Sequence, residues 1–307
     1  MKLEDVFGAH APDPRTPAED PEYSNHLFGI EVELENASQL DQGRYWAVKE
    51  DNSLRNEGRE LVLRVPLAGY DLRAALNEFE SLVSGEPVST GMRTSLHVHM
   101  DVRDMTVLQI AQLVVLYAAV ESVIYSANGS KQRYTNIYCP GITSNDQANN
   151  LAKFVRAAKH GNRLRLHEAV IESQKYSGLN IKAIERFGSI EFRMHKGTAD
   201  KAELSEFIKL LTVLKQKAIE YNSIDSIITD VLQYKNAYAS TVFNTDCSDI
   251  YSMYYYNNIC NAVYIADYIT YSAALSSSAD ETFTNSTGST REQVISVLEE
   301  FARLNSA

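Results

Sequence analysis

The sequence contains few cysteines and no long apolar segment. Three cysteines occur in 307 residues, and no two of them have the C-x-x-C spacing of a zinc or redox motif. This sparse, odd count argues against a disulfide scaffold and structural zinc, and it predicts a reducing, cytoplasmic location. The longest purely apolar stretch, residues 113–120, is far shorter than the roughly 20 residues of a membrane helix. We therefore expect no membrane association.

Basic residues are also scarce relative to acidic ones. The chain has 29 Lys and Arg against 40 Asp and Glu, which gives a formal net charge of −11. Sequence-independent nucleic-acid binding depends on neutralising phosphates with basic side chains, so we expect no nucleic-acid partner. The N-terminal residues have no apolar core, so we expect no signal peptide.

Composition divides the chain into three predicted segments. Residues 1–26 are a polar, proline-bearing leader, and residues 27–220 alternate predicted strands and helices as one α+β core. Residues 221–307 are rich in Tyr, Ser, Asn and Thr and are expected to form a mainly helical extension. Thr290 and Gln293 are the expected capping box of its last helix. Tyrosine-rich segments also occur at subunit contacts, so a homo-oligomer is an open alternative.

Helical spacing of apolar residues predicts four helices in the core. They begin near residues 71, 104, 146 and 198 and end near residues 84, 126, 160 and 221. Asp104 is the expected N-cap of the second helix, and Thr198 or Asp200 is the expected N-cap of the fourth.

Four predicted strands each carry ionisable side chains on a single face, because side chains alternate along a strand. The residues on these faces are Glu31, Glu33, Glu35, Glu60, Arg64, His97, His99, Asp101, Glu191, Arg193 and His195. The ordinary interpretation is a solvated sheet face. However, this set contains no lysine, and crowded carboxylates repel one another unless cations neutralise them. Glutamates with a few histidines suit Mg²⁺ or Mn²⁺, and Arg193 offers a fork for phosphate or carboxylate.

Five motifs in order resemble the amidoligase family of glutamine synthetase-like carboxylate–amine ligases. They are Gly29-Ile30-Glu31-Val32-Glu33, Asp51-Asn52-Ser53, Gly58-x-Glu60, His97-Val98-His99-Met100-Asp101 and residues 188–198, GSIEFRMHKGT. The resemblance covers about residues 28–215. It implies a glutamine synthetase-like catalytic core over residues 27–220, with a curved antiparallel sheet, helices on its outer face, and ATP and Mg²⁺ on its concave face, Mn²⁺ being an alternative ion.

The resemblance also implies roles for individual residues. The implied metal ligands are Glu31, Glu33, Glu60, His97 and Glu191. His99, Arg193, Arg64 and Lys175 are expected near ATP, with Lys175 standing where the family often has an arginine. Arg193, Glu191 and Asp51 are the expected catalytic residues, and Arg133 and Asp51 are expected to face the substrate.

The implied function is ATP- and Mg²⁺-dependent formation of an amide or isopeptide bond through an acyl phosphate. The carboxylate and amine substrates would be small molecules such as amino acids, or peptides or proteins. Two alternatives are open at this point. One is a zinc-dependent hydrolase that uses His97 and His99, with Cys139 or His195 as a third ligand. The other is a catalytically inactive relative with a structural or binding role.

Overall fold

A computed structural model describes residues 1–8, 20, 23, 26–127, 133–134, 136–142 and 147–234. The predicted helix that begins at Thr290, and the tyrosine-rich extension beyond residue 234, lie outside these residues. The elements are α1 (Glu4–Phe7), β1 (Phe28–Leu34), β2 (Trp46–Glu50), β3 (Arg59–Leu63), α2 (Gly69–Val83), β4 (Ser95–Asp101), α3 (Val107–Ala127), α4 (Gln147–Lys159), α5 (Arg163–Glu172), β5 (Leu179–Asn180), α6 (Ala183–Phe187), β6 (Ser189–Lys196), α7 (Lys201–Glu220) and α8 (Ile224–Tyr234).

The described strands form a six-stranded sheet in the order β2-β3-β1-β4-β6-β5, and every neighbouring pair is antiparallel. β1 therefore lies between β3 and β4. Glu31 pairs with His97 on β4, and Glu33 pairs with Glu60 on β3. Since paired residues project from the same face, the register collects the ionisable residues of three strands on one side of the sheet.

Helices pack on the opposite face of the sheet. Trp46 of β2 donates its Nε1 hydrogen to the Ala75 carbonyl of α2 (2.7 Å) and contacts the Phe79 ring, and Phe192 of β6 contacts Tyr117 of α3. The residues of β1 that alternate with its glutamates are buried in this layer. The expected mixed fold of an antiparallel sheet with helices on one side is thus confirmed.

The boundary of α3 differs from the prediction. The helix begins at Val107, and the capping box is formed by Thr106 and Gln109: the Gln109 N–H bonds Thr106 Oγ1 (3.2 Å), and the Thr106 N–H bonds Gln109 Oε1 (2.8 Å). The carboxylate of Asp104, the expected cap, instead accepts hydrogen bonds from the buried Lys215 (2.7 and 2.9 Å). The other cap prediction is confirmed, since Asp200 accepts the Ala202 N–H at the start of α7.

No described helix is both long and apolar enough to cross a membrane.

The described residues of the polar leader pack against the core. Phe7 of α1 stacks on His167 of α5, and the Tyr23 hydroxyl bonds Ser205 of α7 (2.7 Å). Asp20 accepts two hydrogen bonds from Arg73 of α2, each 2.9 Å long. The charged and proline-bearing composition of the leader does not predict these contacts.

A β-bulge in β6 changes the predicted alternation. Leu96 pairs with His195 and Val98 pairs with Phe192, so three steps along β6 oppose two steps along β4. The extra residue rotates His195 to the helix-covered face, where its ring contacts Phe207 of α7 at 4.7 Å. The prediction that His195 shares a face with Glu191 is therefore wrong.

Candidate metal and anion site

Glu31, His99 and Glu191 come together on the face of the sheet opposite the helices. Each offers one ligand atom, and these atoms lie within 4.8 Å of one another. We call these three residues the metal cluster. The face on which they lie, which also carries Glu33, Glu60 and His97, is called the acidic face. Two carboxylates and an imidazole at this spacing form a donor set that fits a divalent cation after small side-chain movements.

His97 contacts both carboxylates of the metal cluster. Its Nδ1 lies 3.3 Å from Glu31 Oε2 and 3.8 Å from Glu191 Oε1, and the side chain is buried. Burial would raise the pKa of Glu31, but the hydrogen bond and charge of His97, followed by the charges of His99 and Arg193, lower it to about 2. Glu31 is therefore an ionised carboxylate across the physiological pH range.

Both oxygens of Glu191 are held in place. Oε1 accepts a charged hydrogen bond from Arg193 Nη1, and Oε2 accepts one from Asn180 Nδ2 (2.5 Å). Burial opposes ionisation, yet Arg193 and then His99 and His97 lower the pKa of Glu191. The structure thus fixes a buried negative charge at the junction of β4, β5 and β6.

The Nε2 of His99 lies 4.0 Å from Glu31 and 3.9 Å from Glu191, the two carboxylates of the metal cluster. Its other ring nitrogen lies 3.1 Å from Ser189 Oγ, and its ring packs edge-on against Phe187. Burial lowers the pKa of His99, which favours the neutral imidazole that can bind a metal.

Glu33 and Glu60 extend the acidic face towards β3. Glu33 accepts a hydrogen bond from Ser95 Oγ (2.5 Å) and is buried. Burial, together with the charges of Glu31 and Glu33, raises the pKa of Glu60 to about 7. Mutual repulsion between glutamates, expected from the sequence, is therefore present in the fold.

Arg133 and Arg193 provide positive charge near this face. Arg133 Nη1 donates to the Thr94 carbonyl (3.0 Å) just before β4, and both guanidinium groups influence the buried thiol of Cys139 electrostatically. Among the described residues, the Nε atoms of both arginines are buried without a hydrogen-bond partner. Buried donors of this kind are costly unless an acceptor is supplied, so the pair fits an anionic ligand.

Three other predicted site residues lie outside the metal cluster. Arg64 is exposed and donates to Gly43 O and Gln42. Lys175 is exposed and lies over the Tyr176 ring, while Asp51 follows β2 and accepts the N–H of Ser53. In the described part of the chain, neither Asp51 nor Lys175 forms a hydrogen bond or an ion pair with the metal cluster.

A cleft of about 180 Å³ opens beside the metal cluster. Glu31 and His99 line one part of it, and Arg64, Val65, Arg103 and Phe187 line other parts. The cleft therefore combines an apolar wall and two arginine side chains with the carboxylate of Glu31 and the imidazole of His99.

Sequence reasoning missed three polar residues that orient the charged ones. Ser95 bonds Glu33, Ser189 bonds His99, and Asn180 bonds Glu191. The two serines precede His97 and Glu191 by two residues, so strand alternation already placed them on the acidic face. The contact of Asn180 depends on the pairing of β5 with β6, for which the sequence carries no comparable signal.

A sheet with one face packed under helices and the other carrying fixed carboxylates, imidazoles and a guanidinium defines a mixed α/β protein with a candidate metal and anion site on one sheet face. A family model described as "putative amidoligase enzyme" matches residues 21–215, and the chain belongs to this family. The family predicted from the five motifs is thus confirmed, and its description supports an enzyme of the ligase type. No curated protein matches the chain.

Proposed function

We propose that the protein is a glutamine synthetase-like, ATP- and Mg²⁺-dependent carboxylate–amine ligase. The observation that carries this proposal is the arrangement of Glu31, His99 and Glu191 beside Arg193, in a chain of the amidoligase family. A cation-binding group next to a buried guanidinium suits a reaction in which phosphate charge must be neutralised at one place.

The proposed reaction overcomes the poor leaving group of a carboxylate. The acid substrate attacks the terminal phosphorus of ATP, which gives an acyl phosphate and ADP. The amine then attacks the acyl carbon, phosphate departs, and an amide and a proton remain. Amino acids, peptides and protein side chains are all acids and amines that fit this chemistry.

The residues of the acidic face would have distinct tasks. When bound, Mg²⁺ supplies positive charge for the phosphate oxygens. Glu31, His99 and Glu191 would hold it, with Glu33, Glu60 and His97 close to them. Arg193 has a buried Nε without a partner and would orient the transferred phosphoryl group, while Arg133 would orient the acid substrate. The cleft beside Arg64 and Phe187 is the proposed place for the nucleotide.

The decisive assay offers the purified protein ATP, Mg²⁺ and a panel of amino acids and peptides. We expect ADP release coupled to a product whose mass equals the two substrates minus water. Glu31→Gln and Glu191→Gln should abolish product because each removes a charged ligand, whereas the exposed Glu172→Gln should not. Wild-type ligation by the first two variants would refute the assignment.

Two further measurements separate the two competing functions from the proposed one. His97 and His99 lie on one face with two carboxylates, a set that zinc can also use. Zinc-dependent hydrolysis without ATP would select the hydrolase. Absence of Mg²⁺-ATP binding in a thermal-shift experiment would select the inactive relative.

A further inference from the structure

A second buried carboxylate lies away from the metal cluster, on α3. Glu121 accepts hydrogen bonds from the Ile142 N–H with both oxygens (3.0 Å each), from the Tyr117 hydroxyl (3.0 Å) and from the Tyr134 hydroxyl (3.4 Å). Its side chain is fully buried. Tyr134 and Ile142 stand at the two ends of one connection, residues 133–134 and 136–142, which we call the Arg133 loop.

Tyr125, one turn further along α3, holds the middle of the same loop. Its hydroxyl donates to the Cys139 carbonyl (2.5 Å). The fit is close, because a Cβ at Gly141 would lie 2.3 Å from the Tyr134 ring. Three points of the loop are thus attached to the buried surface of α3.

The loop is also connected to Arg193. The Gly178 N–H donates to the Pro140 carbonyl, and the Gly178 carbonyl accepts the Arg193 N–H, each at 2.9 Å. A Cβ at Gly178 would lie 2.4 Å from the Tyr125 hydroxyl, so α3, the loop and β6 meet at this glycine. The position of Arg133 relative to Arg193 therefore depends on the hydrogen bonds that attach the loop to α3.

We propose that Glu121, assisted by Tyr125, is a positioning residue that holds the Arg133 loop and so presents Arg133 to the acid substrate. The substrate part of this inference rests on the proposed ligase function. Glutamine at position 121 would retain one acceptor oxygen and turn an N–H₂ group towards donors, which weakens the attachment.

The experiment uses Cys139, a buried thiol in the loop, as the reporter. In a background with Cys247→Ser and Cys260→Ser, we expect Glu121→Gln to raise the rate at which Ellman's reagent modifies Cys139 in the folded protein by about tenfold or more. Tyr125→Phe, which removes a single hydrogen bond, should raise it by about fivefold and serves if the first variant does not fold. The exposed Glu168→Gln should leave the rate unchanged.

Two outcomes would overturn the inference. One is a Cys139 that stays as protected in Glu121→Gln and Tyr125→Phe as in the parent. The other is a faster thiol reaction with an unchanged KM for the acid substrate, since a positioning role predicts a KM rise shared with Arg133→Ala and a smaller effect on kcat. A wild-type protein without ligase activity would refute the proposed function instead, because the thiol assay does not require catalysis.

Discussion

At the scale of single residues, Glu191 joins the two charged parts of the site. Its Oε1 contacts Arg193 and lies within 4 Å of both histidines of β4. A cation bound by this carboxylate would compete with the guanidinium group of Arg193 for the same oxygen, Glu191 Oε1. Binding of Mg²⁺ would therefore leave the guanidinium more available to an incoming phosphate, which couples occupancy of the cation site to recognition of the anion.

The substitution Arg193→Lys tests whether the guanidinium group of Arg193 acts on the transferred phosphate. Lysine can keep a positive charge beside Glu191. However, it lacks the planar guanidinium group, which could donate hydrogen bonds to Glu191 and to a phosphate at the same time. We expect kcat of ligation to fall by about a hundredfold, similar to the loss of one preorganised donor. Far-ultraviolet circular dichroism should remain unchanged.

Arg165→Lys is the matched control, because Arg165 forms an exposed pair with Glu168 on α5. It should ligate at the parent rate. Equal turnover by Arg193→Lys and the parent enzyme would show that Arg193 does not act on the transferred group.

At the scale of elements, the bulge in β6 places residues of one strand on opposite faces of the sheet. Glu191 projects from the acidic face, whereas His195 packs under α7 and is buried. Burial lowers the pKa of His195 to about 4, partly offset by its hydrogen bond to the Lys196 carbonyl. The imidazole is consequently a neutral core group near pH 7.

This placement predicts a pH dependence of stability. Above pH 6.5 His195 is neutral in both the folded and the unfolded chain, so it has no effect. Between pH 6.5 and about 4 the unfolded chain binds the proton and the folded chain does not. The free energy of unfolding should therefore fall by about 3 kcal/mol from this group across that window.

Urea unfolding of the wild type and of His195→Asn at pH 7, 5.5 and 4 measures the effect. The variant should lose stability at pH 7 but show a shallower decline towards pH 4, whereas the exposed His160→Asn should follow the wild type. Parallel pH profiles for wild type and His195→Asn would place His195 in a solvated environment instead.

The same elements show what the sequence can predict. Alternation predicts that His97 and His99 share one face of β4, because regular strands keep their period. The pairing of β1 with β4 then places Glu31 beside them. Alternation fails at His195, since a bulge adds a residue without a distinctive sequence signal. The placement of Arg133 depends on contacts that other residues of its loop make with Glu121 and Gly178. Alternation along a strand does not predict such contacts, so only the family resemblance pointed to Arg133.

At the scale of the whole molecule, part of the charge of −11 is concentrated on one surface. Four glutamates of the acidic face, Glu31, Glu33, Glu60 and Glu191, come from three strands, and the rest of the acidic excess is distributed elsewhere. Local repulsion of this kind is relieved by a bound cation, so the folded state should be stabilised by divalent metals.

Thermal unfolding in Mg²⁺ or Mn²⁺ tests this prediction. At a concentration ten times the Kd, the stabilisation should be about 1.4 kcal/mol, or roughly 2–4 °C in Tm. NaCl at matched ionic strength should not reproduce the shift, and Glu31→Gln with Glu191→Gln should remove it. An equal shift in that double variant would mean that the cations bind elsewhere.

The order of the strands also governs when the site is completed during folding. Ser189 and His99 touch although they are 90 residues apart in the chain, so β6 can dock on β4 only after the intervening helices have been synthesised. Contacts of such separation close late because they cost more chain entropy. A nascent chain that has formed β1 and β4 lacks Glu191 and Arg193, and the arrival of β6 is the step that completes the proposed cation site.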